Sequence, residues 1–492
     1  MNNIVLVWAW WTGMSGLAMM LFDIWYKNII CINNIQTDLT DRLVRHGLKV
    51  IIWHRKYTLD IKDFVIYSDI QAIIDGPEIT QSRIYQQTPT KKHFHICMTY
   101  NQFIAEISKR FTTISITGSN GKTSTTAMAI WSLSNIMPDK FALGIVWWLM
   151  PNFGHQWYAI SSNTQIQSDI HHLFEHIFNQ KHQLDYSLIK KHLFIIEACE
   201  HREHFLLYDS DYTLITNIQR DHTDYYHTRA SYKEAFVHMI QKTRKISILT
   251  ASAYDTLSEY DISDIVLSDT FSFDTKYLIW SYSYSNASLL QKLLEHIFVI
   301  PTEVEESFIN NNKRSLDYAN ASLEMTKHLA TILSQFQWVG RRMEYIGQLH
   351  NNPVYSDYSH HAPAIAGNMQ ALQTQFPDKK ICAIFQPHQA QRVLVGRDDF
   401  KTSLQDADTT LIYKLYTARE TLPSLIKGGW GDRLKWLHSF DELGEQFAQE
   451  LGGEYVINPD DLTTSLSLLS DDYIIVIFSA GDLDEKMRVL VS

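Results

Sequence analysis

Apolar residues along this chain fall into short blocks separated by polar, ionisable or glycine-bearing turns. From residue 1 to 110 the blocks are Ile4–Val7, Met14–Phe22, Asn28–Ile32, Thr40–His46, Lys49–Ile52 and Phe64–Tyr67, which read as alternating short strands and helices. That rhythm, with short loops, predicts βαβ units and a parallel sheet. A second block, 111 to 335, opens on an apolar-alternating run, Phe111 to Ile116, and a helix-compatible run, Ala127 to Leu133. Further on, Leu193–Ile196 runs into Glu197-Ala198-Cys199-Glu200, and Tyr212–Ile215 runs into Thr216-Asn217-Ile218-Gln219-Arg220-Asp221-His222. A third block, 336 to 492, carries Val354–Asp357 leading to Tyr358-Ser359-His360-His361, and Ile381–Phe385 leading to Gln386-Pro387-His388 and on to Arg392. It closes on Tyr473–Phe478 followed by Ser479-Ala480-Gly481-Asp482. The expected architecture is α/β in three domains, at 1–110, 111–335 and 336–492. Rossmann-like domains stand at either end, with a central domain of the P-loop ATPase type and a mostly parallel sheet between them.

Between the apolar run ending at Ile116 and the helix-compatible run lies Thr117-Gly118-Ser119-Asn120-Gly121-Lys122-Thr123-Ser124. Its two glycines let the backbone fold round an oxyanion, and the helix that follows adds a favourable dipole. Lys122 supplies a point charge for terminal phosphates, and the hydroxyl of Thr123 stands where a nucleotide-bound Mg²⁺ is usually ligated. The spacing is the tighter GxxGKT form, since position 116 is Ile. In an open α/β sheet ligands bind at the carboxyl ends of strands, so Glu197 and Asp221-His222 are expected to meet this loop. In the first block, the turn Thr12-Gly13-Met14-Ser15-Gly16 follows the first strand, where such a domain binds a pyrophosphate.

Composition narrows the picture. The 492 residues carry a formal net charge of −11, which argues against nucleic acid as the main partner. The four cysteines, Cys31, Cys97, Cys199 and Cys382, are isolated, so neither a zinc site nor a disulfide framework is indicated, and a reducing cytoplasm fits. Ile4 to Phe22 holds no charge and reads on hydropathy alone as a membrane span or signal anchor. Against that, no Lys or Arg precedes it, Gly13, Ser15 and Gly16 interrupt it, and its tryptophans are central rather than interfacial. The expectation is therefore no membrane partner.

Taken in order, several motifs resemble those of the Mur ligases along nearly the full chain. They are Gly118–Thr123, Glu197-Ala198-Cys199-Glu200, Thr216-Asn217-Ile218 with Asp221-His222, Gly340-Arg341-Arg342, Asp357–His361, Phe385–His388, Ala418-Arg419-Glu420 and Ala480-Gly481-Asp482. The resemblance implies that the first domain holds a UDP-sugar through Thr12, Gly13, Met14, Ser15 and Gly16, the second ATP, and the third an amino acid. It implies a reaction in which the carboxylate of UDP-N-acetylmuramate is phosphorylated by ATP and the amine of L-alanine then displaces phosphate. ATP contacts would come from Gly118, Ser119, Asn120, Gly121, Lys122, Thr123, Ser124, Asn286, Arg342 and Asp357. Mg²⁺ would be held by Thr123, Glu197 and His222. Lys122, Glu197, His222 and Arg342 would carry the catalysis, and His360, His361, His388 and Arg392 the amino acid. Partners are then small molecules, and the chain a monomer or homodimer. The readings kept beside this one are a sibling Mur-type ligase that adds a murein tripeptide, and an inactive or membrane-tethered nucleotide-binding protein.

The chain departs from the family pattern in several places. Gln219 stands where an acidic residue is usual, and of the family's adenine motif only Asn286 survives in Tyr282-Ser283-Tyr284-Ser285-Asn286. Residues 157–192 and 300–330 read as insertions. Trp8, Trp10, Trp11, Trp25, Trp53, Trp147, Trp148, Trp280 and Trp338 fall where the family has glycine. Glycine serves there by adopting φ > 0 or by letting a ligand approach, and tryptophan does neither. With only 19 glycines in 492 residues, about half the usual ~7%, the pattern is that of UGA codons read as tryptophan where the source organism reads glycine. UGG codons at Trp8, Trp10 and Trp11 would exclude this.

Overall fold

The alternating blocks close into three sheets. The computed structural model describes residues 3–7, 12–24, 26–33, 36–52, 64–68, 97–154, 156–179, 187–219, 221–222, 225–268, 281–298, 324–337, 339–417 and 439–491. They divide into two compact units, one running to 278 and including 283–337, the other made of 279–282 and 338 onward. Of the residues singled out above, Trp8, Trp10, Trp11, Trp25, Trp53, Trp280, Trp338, Arg220 and Ala418-Arg419-Glu420 lie outside the described residues, as does most of 300–330.

The first sheet comprises β1 (Ile4–Val7), β2 (Ile29–Asn33), β3 (Lys49–Ile52), β4 (Phe64–Tyr67) and β5 (Cys97–Thr99). Its order is β3-β2-β1-β4-β5, with every neighbouring pair parallel. All four residues of β1 are buried, as a central parallel strand requires. The uncharged run from Ile4 to Phe22 is thus a central strand followed by the buried helix Thr12–Asp23, whose apolar character answers to the core. Among the described residues no helix is long and apolar enough to cross a membrane.

The second sheet belongs to the same unit. It comprises β6 (Thr112–Thr117), β7 (Phe141–Met150), β8 (Gln156–Ile160), β9 (Leu193–Glu197), β10 (Tyr212–Ile215), β11 (Ile246–Thr250) and β12 (Ile265–Ser268). Its order, β12-β11-β10-β6-β9-β7-β8, is parallel except for the edge pair β7–β8. The described part of 157–192 is built into the core. Trp157 and Tyr158 of β8, and Ile166, Ile170, Leu173, Phe174 and Phe178 of the helix Thr164–Asn179, share one apolar cluster with Met14 and Leu17. A Cβ on Gly16 would lie 3.0 Å from Trp157 Cβ, so the helix Thr12–Asp23 rides directly on β8. The Tyr158 hydroxyl donates to Asp23 at the far end of that helix.

The second unit holds β13 (Glu344–Leu349), β14 (Asn352–Asp357), β15 (Lys380–Gln386), β16 (Thr409–Tyr413), β17 (Glu454–Val456) and β18 (Tyr473–Ser479), in the order β13-β14-β18-β15-β16-β17. Only the β13–β14 edge hairpin is antiparallel. Side chains of β15 alternate between two cores: Ile381, Ala383 and Phe385 on one face, Cys382 and Ile384 on the other. That two-sided burial explains its continuous apolar reading.

Candidate functional site

In the first unit β6 lies between β9 and β10, so three parallel strands end side by side. Ile116 is level with Glu197 on one flank, and Thr117 with Ile215 on the other. The loop after β6 turns on two left-handed glycines, Gly118 at φ +131° and Gly121 at φ +82°. Gly118 admits no side chain, because a Cβ there would sit 2.2 Å from Thr216 Oγ1 and 2.8 Å from the Asn217 carbonyl. Gly121 starts the helix Lys122–Ile136 without a side-chain cap, which leaves the helix N-terminus available to an anion.

The end of β10 clamps this loop. Ser119 N donates to the Asn217 carbonyl at 3.0 Å and Asn120 N to Asn217 Oδ1 at 3.0 Å. Thr216 Oγ1 and Asn217 Nδ2 both donate to the Asn120 carbonyl, at 2.5 and 2.8 Å. Gln219 N donates to Ser119 Oγ at 2.7 Å, and Asn120 Nδ2 to Gln219 Oε1 at 3.0 Å. Thr216 and Asn217 were legible as a motif and Gln219 as a departure from it, but none of them as a clamp, since their partners stand about a hundred residues away. Asn286, buried on the helix Ser281–Phe298, faces Gly121: a Cβ there would lie 3.4 Å from its Nδ2. Ser124 is buried in the first turn after the loop.

The charged groups sort into two pairs. Thr123 Oγ1 donates to Glu197 Oε1 at 2.8 Å, and the Trp147 backbone N donates to Glu197 Oε2 at 2.9 Å. Lys122 turns instead to Glu200, at 3.1 Å from Oε1 and 3.0 Å from Oε2, and also donates to the Gly118 and Ser119 carbonyls. Burial opposes the Lys122 charge most strongly of any one influence, but Glu200, Cys199 and Glu197 together hold the ammonium above the ordinary lysine range. His222, at φ +49°, stacks on His201 with ring centroids 4.6 Å apart, and its Nε2 lies 3.7 Å from Glu200 Oε1. Burial keeps the His222 imidazole below its usual range, against the pull of Asp221 and Glu200. Asp221 Oδ1 is occupied by the His222 backbone N at 2.7 Å.

For a divalent cation, the hydroxyl and carboxylate of Thr123 and Glu197 are hard oxygen donors that fit Mg²⁺. His222 comes closest to a different group. Among the described residues, ligand atoms of Cys199, Glu200 and His222 lie within 4.8 Å of one another. Trp147 and Trp148 sit in β7 where its register with β8 shifts between Ile145 and Met150. Neither has a positive φ. The conformational reason for glycine is therefore absent at these two positions, and what remains is the closeness of the Trp147 backbone to Glu197.

Of the first-domain residues, Met14 and Ser15 are fully buried in the helix Thr12–Asp23, Gly13 is buried with them, and Gly16 packs on Trp157. The side chain of Thr12 lies outside the described residues.

In the second unit the ends of β14, β18 and β15 are neighbours. Asp357 is buried and holds its own loop, accepting from Met343 N at 2.8 Å and Ser359 N at 2.7 Å. Burial raises its pKa, against the pull of Arg342. The adjacent arginines differ. Arg341 donates to the Ser479 and Gly481 carbonyls and lies 3.7 Å from Asp484, so it ties the loop to the strand end. Arg342 lies over the Tyr358 ring at 5.5 Å.

His360, His361 and His388 come together, with ring centroids 4.3 Å apart for His360–His361 and 5.5 Å for His360–His388. His388 stacks on Tyr416, a residue the sequence did not single out, at 5.6 Å and 17°. Burial and the Arg392 guanidinium push His388 down to about 4. His360 is also held well below its usual range by burial, His361 and Arg392. At neutral pH Arg392 therefore stands near two neutral imidazoles, those of His360 and His388. Gln386 braces the floor of this loop, accepting from Ser479 Oγ at 2.7 Å and donating to Asp482 Oδ1 at 2.8 Å.

Residues 116–287 match the family model of the Mur ligase middle domain. A curated relative, the UDP-N-acetylmuramate–L-alanine ligase of Aquifex aeolicus (strain VF5), is 24% identical over 421 residues, covering 83% of this chain and 82% of its own length. Among solved structures, the UDP-N-acetylmuramate–alanine ligase of Thermotoga maritima aligns with a TM-score of 0.66 at 19% identity, covering 99% of this chain and 98% of that one. The murein peptide ligase of Psychrobacter arcticus 273-4 aligns with a TM-score of 0.56 at 18% identity, covering 100% and 98%. At such identities the structural likeness is one of fold.

Proposed function

We propose that this chain, a member of the Mur ligase family by its middle domain, is an ATP-dependent ligase that joins L-alanine to the carboxylate of UDP-N-acetylmuramate. The observation that carries the reading is the end of β6, where Lys122 and the Thr123–Glu197 pair stand together at a loop turned by two left-handed glycines. In this reading residues 1–110 take the UDP-sugar, 111–335 the ATP and 336–492 the amino acid, and the work is done in the cytoplasm.

A carboxylic acid and an amine do not condense at neutral pH, so the carboxylate must first acquire a leaving group. Its oxygen attacks the γ-phosphorus of ATP, the bond to the β-phosphate oxygen breaks, and ADP leaves. The amine then attacks the acyl carbon, loses a proton, and inorganic phosphate departs. Phosphoryl transfer between anions is served mainly by positive charge and positioning. Lys122 and the uncapped N-terminus of the helix Lys122–Ile136 provide these to the terminal phosphates. Thr123 and Glu197, with His222 as the further candidate, would hold Mg²⁺, which when bound neutralises phosphate charge. Asn286 beside Gly121 would approach the nucleotide, Arg342 would add charge to its phosphates, and Asp357 would take its ribose. Arg392 would pair with the alanine carboxylate. The imidazoles of His360, His361 and His388 would shape its surroundings.

Phosphate release from ATP, measured with UDP-N-acetylmuramate and in turn L-alanine, glycine, L-serine and a murein tripeptide, tests the proposal. Release with L-alanine supports it. Release with the tripeptide alone would assign the chain to the peptide-adding branch, and no release with any acceptor would overturn the ligase reading.

A further inference from the structure

Glu200 is the most enclosed charge at the phosphate loop, with a side-chain exposure of 0%. Four neighbours fix it. Lys122 Nζ reaches both its oxygens, and the Tyr232 hydroxyl donates to Oε1 at 3.2 Å. His222 Nε2 stands 3.7 Å away, and the Tyr226 hydroxyl anchors its backbone carbonyl at 2.6 Å. Tyr232 also meets Ser119 Oγ at 2.8 Å, so the helix Arg229–Lys242 is tied through one hydroxyl to both Glu200 and the loop.

An ammonium has three protons to donate. On Lys122 they are directed at the Gly118 carbonyl, the Ser119 carbonyl and Glu200. The two carbonyls belong to the turn that folds round the anion, so they keep the side chain curled over the loop. Only the third acceptor is itself an anion. A phosphate oxygen can engage Lys122 by replacing that acceptor, and with it a buried charge–charge contact.

We propose that Glu200 is a positioning residue that occupies the phosphate's place on Lys122, holding the ammonium over the loop between turnovers and competing with the incoming nucleotide. The inference rests on Lys122 being a phosphate ligand. It goes further by making nucleotide affinity the outcome of a contest between two anions for one ammonium. Glu197, three residues earlier, is excluded from this role because its oxygens are taken by Thr123 and the Trp147 backbone.

The test is calorimetric titration of the full chain with ADP and with a non-hydrolysable ATP analogue. Glu200→Gln preserves shape and the Tyr232 contact while removing the competing charge, and is expected to bind both nucleotides about tenfold more tightly, as removal of a competing occupancy of that size would give. Glu200→Asp keeps the charge, so Lys122 retains a counter-ion and the fold is protected, but draws the carboxylate back. It is expected to shift affinity in the same direction by less. In a Lys122→Met background, Glu200→Gln should leave affinity unchanged, a coupling that a merely structural role would not produce. Unchanged or weaker binding by a folded Glu200→Gln or Glu200→Asp protein overturns the inference. Failure of the unaltered protein to bind either nucleotide overturns the phosphate-site reading instead.

Discussion

The two units each end three neighbouring parallel strands at a cluster of polar side chains, yet they stabilise those clusters in opposite ways. In the first, a glycine turn is clamped by hydrogen bonds from Thr216, Asn217 and Gln219, and its one ammonium is matched by a buried carboxylate. In the second, His360, His361, His388 and Tyr416 form a ring cluster, in which His360 and His388 are kept neutral near Arg392. The first site is electrostatically closed on itself, so a ligand must compete for its cation. The second holds a guanidinium beside two imidazoles, His360 and His388, that burial keeps neutral.

The comparison is broken most severely at Lys122. Lys122→Ala should lower ligase turnover by at least ~10³-fold. By leaving Glu200 buried without its counter-ion it should also cost about 3–5 kcal/mol of stability in denaturant unfolding. Next comes Gly118→Ala, which forces a side chain into Thr216 at a φ only glycine takes freely. Nucleotide binding should be lost, with destabilisation of about 1–3 kcal/mol, read by calorimetry and thermal unfolding. The second site should break differently. Arg392→Lys keeps the charge but not the paired donors, so KM for L-alanine should rise about tenfold with kcat and melting temperature little changed.

The smallest effect sharpens the contrast through pH. The folded pKa of His388, about 4, lies below its unfolded value, so between the two the unfolded chain binds the extra proton. Stability from keeping this imidazole neutral is present above the unfolded value of about 6.5 and is lost as pH falls toward 4. His388→Asn should flatten that part of the stability–pH curve, measured by unfolding at stepped pH, without altering the response of the Lys122 site.

Much of this was legible in the linear pattern, and the misses share a cause. The strands ending at Thr117, Glu197, Ile215, Asp357 and Gln386, and the glycine turn after the first of them, follow from local periodicity and residue type. The core role of 157–179 was not legible, because Trp157 and Phe174 become interior only once β8 pairs at the sheet edge and the helix Thr12–Asp23 lies on it. Nor was the difference between Arg341 and Arg342, adjacent and chemically identical, visible before the Ser479 and Gly481 carbonyls met the first of them.

By itself the sequence determined which residues stand at strand ends, where the backbone turns left-handed on glycine, and that Lys122 and Thr123 open a helix. Those are properties of neighbours a few bonds apart. Only the tertiary structure decided that Glu200 rather than Glu197 takes Lys122, that Asn217 holds the loop, and that Tyr416 joins the histidines. The first two choices depend on the sheet order, which brings β9 and β10 to either side of β6 across about a hundred residues of chain, and the third on the bridge between His388 and Tyr416; no local pattern encodes pairings of that kind.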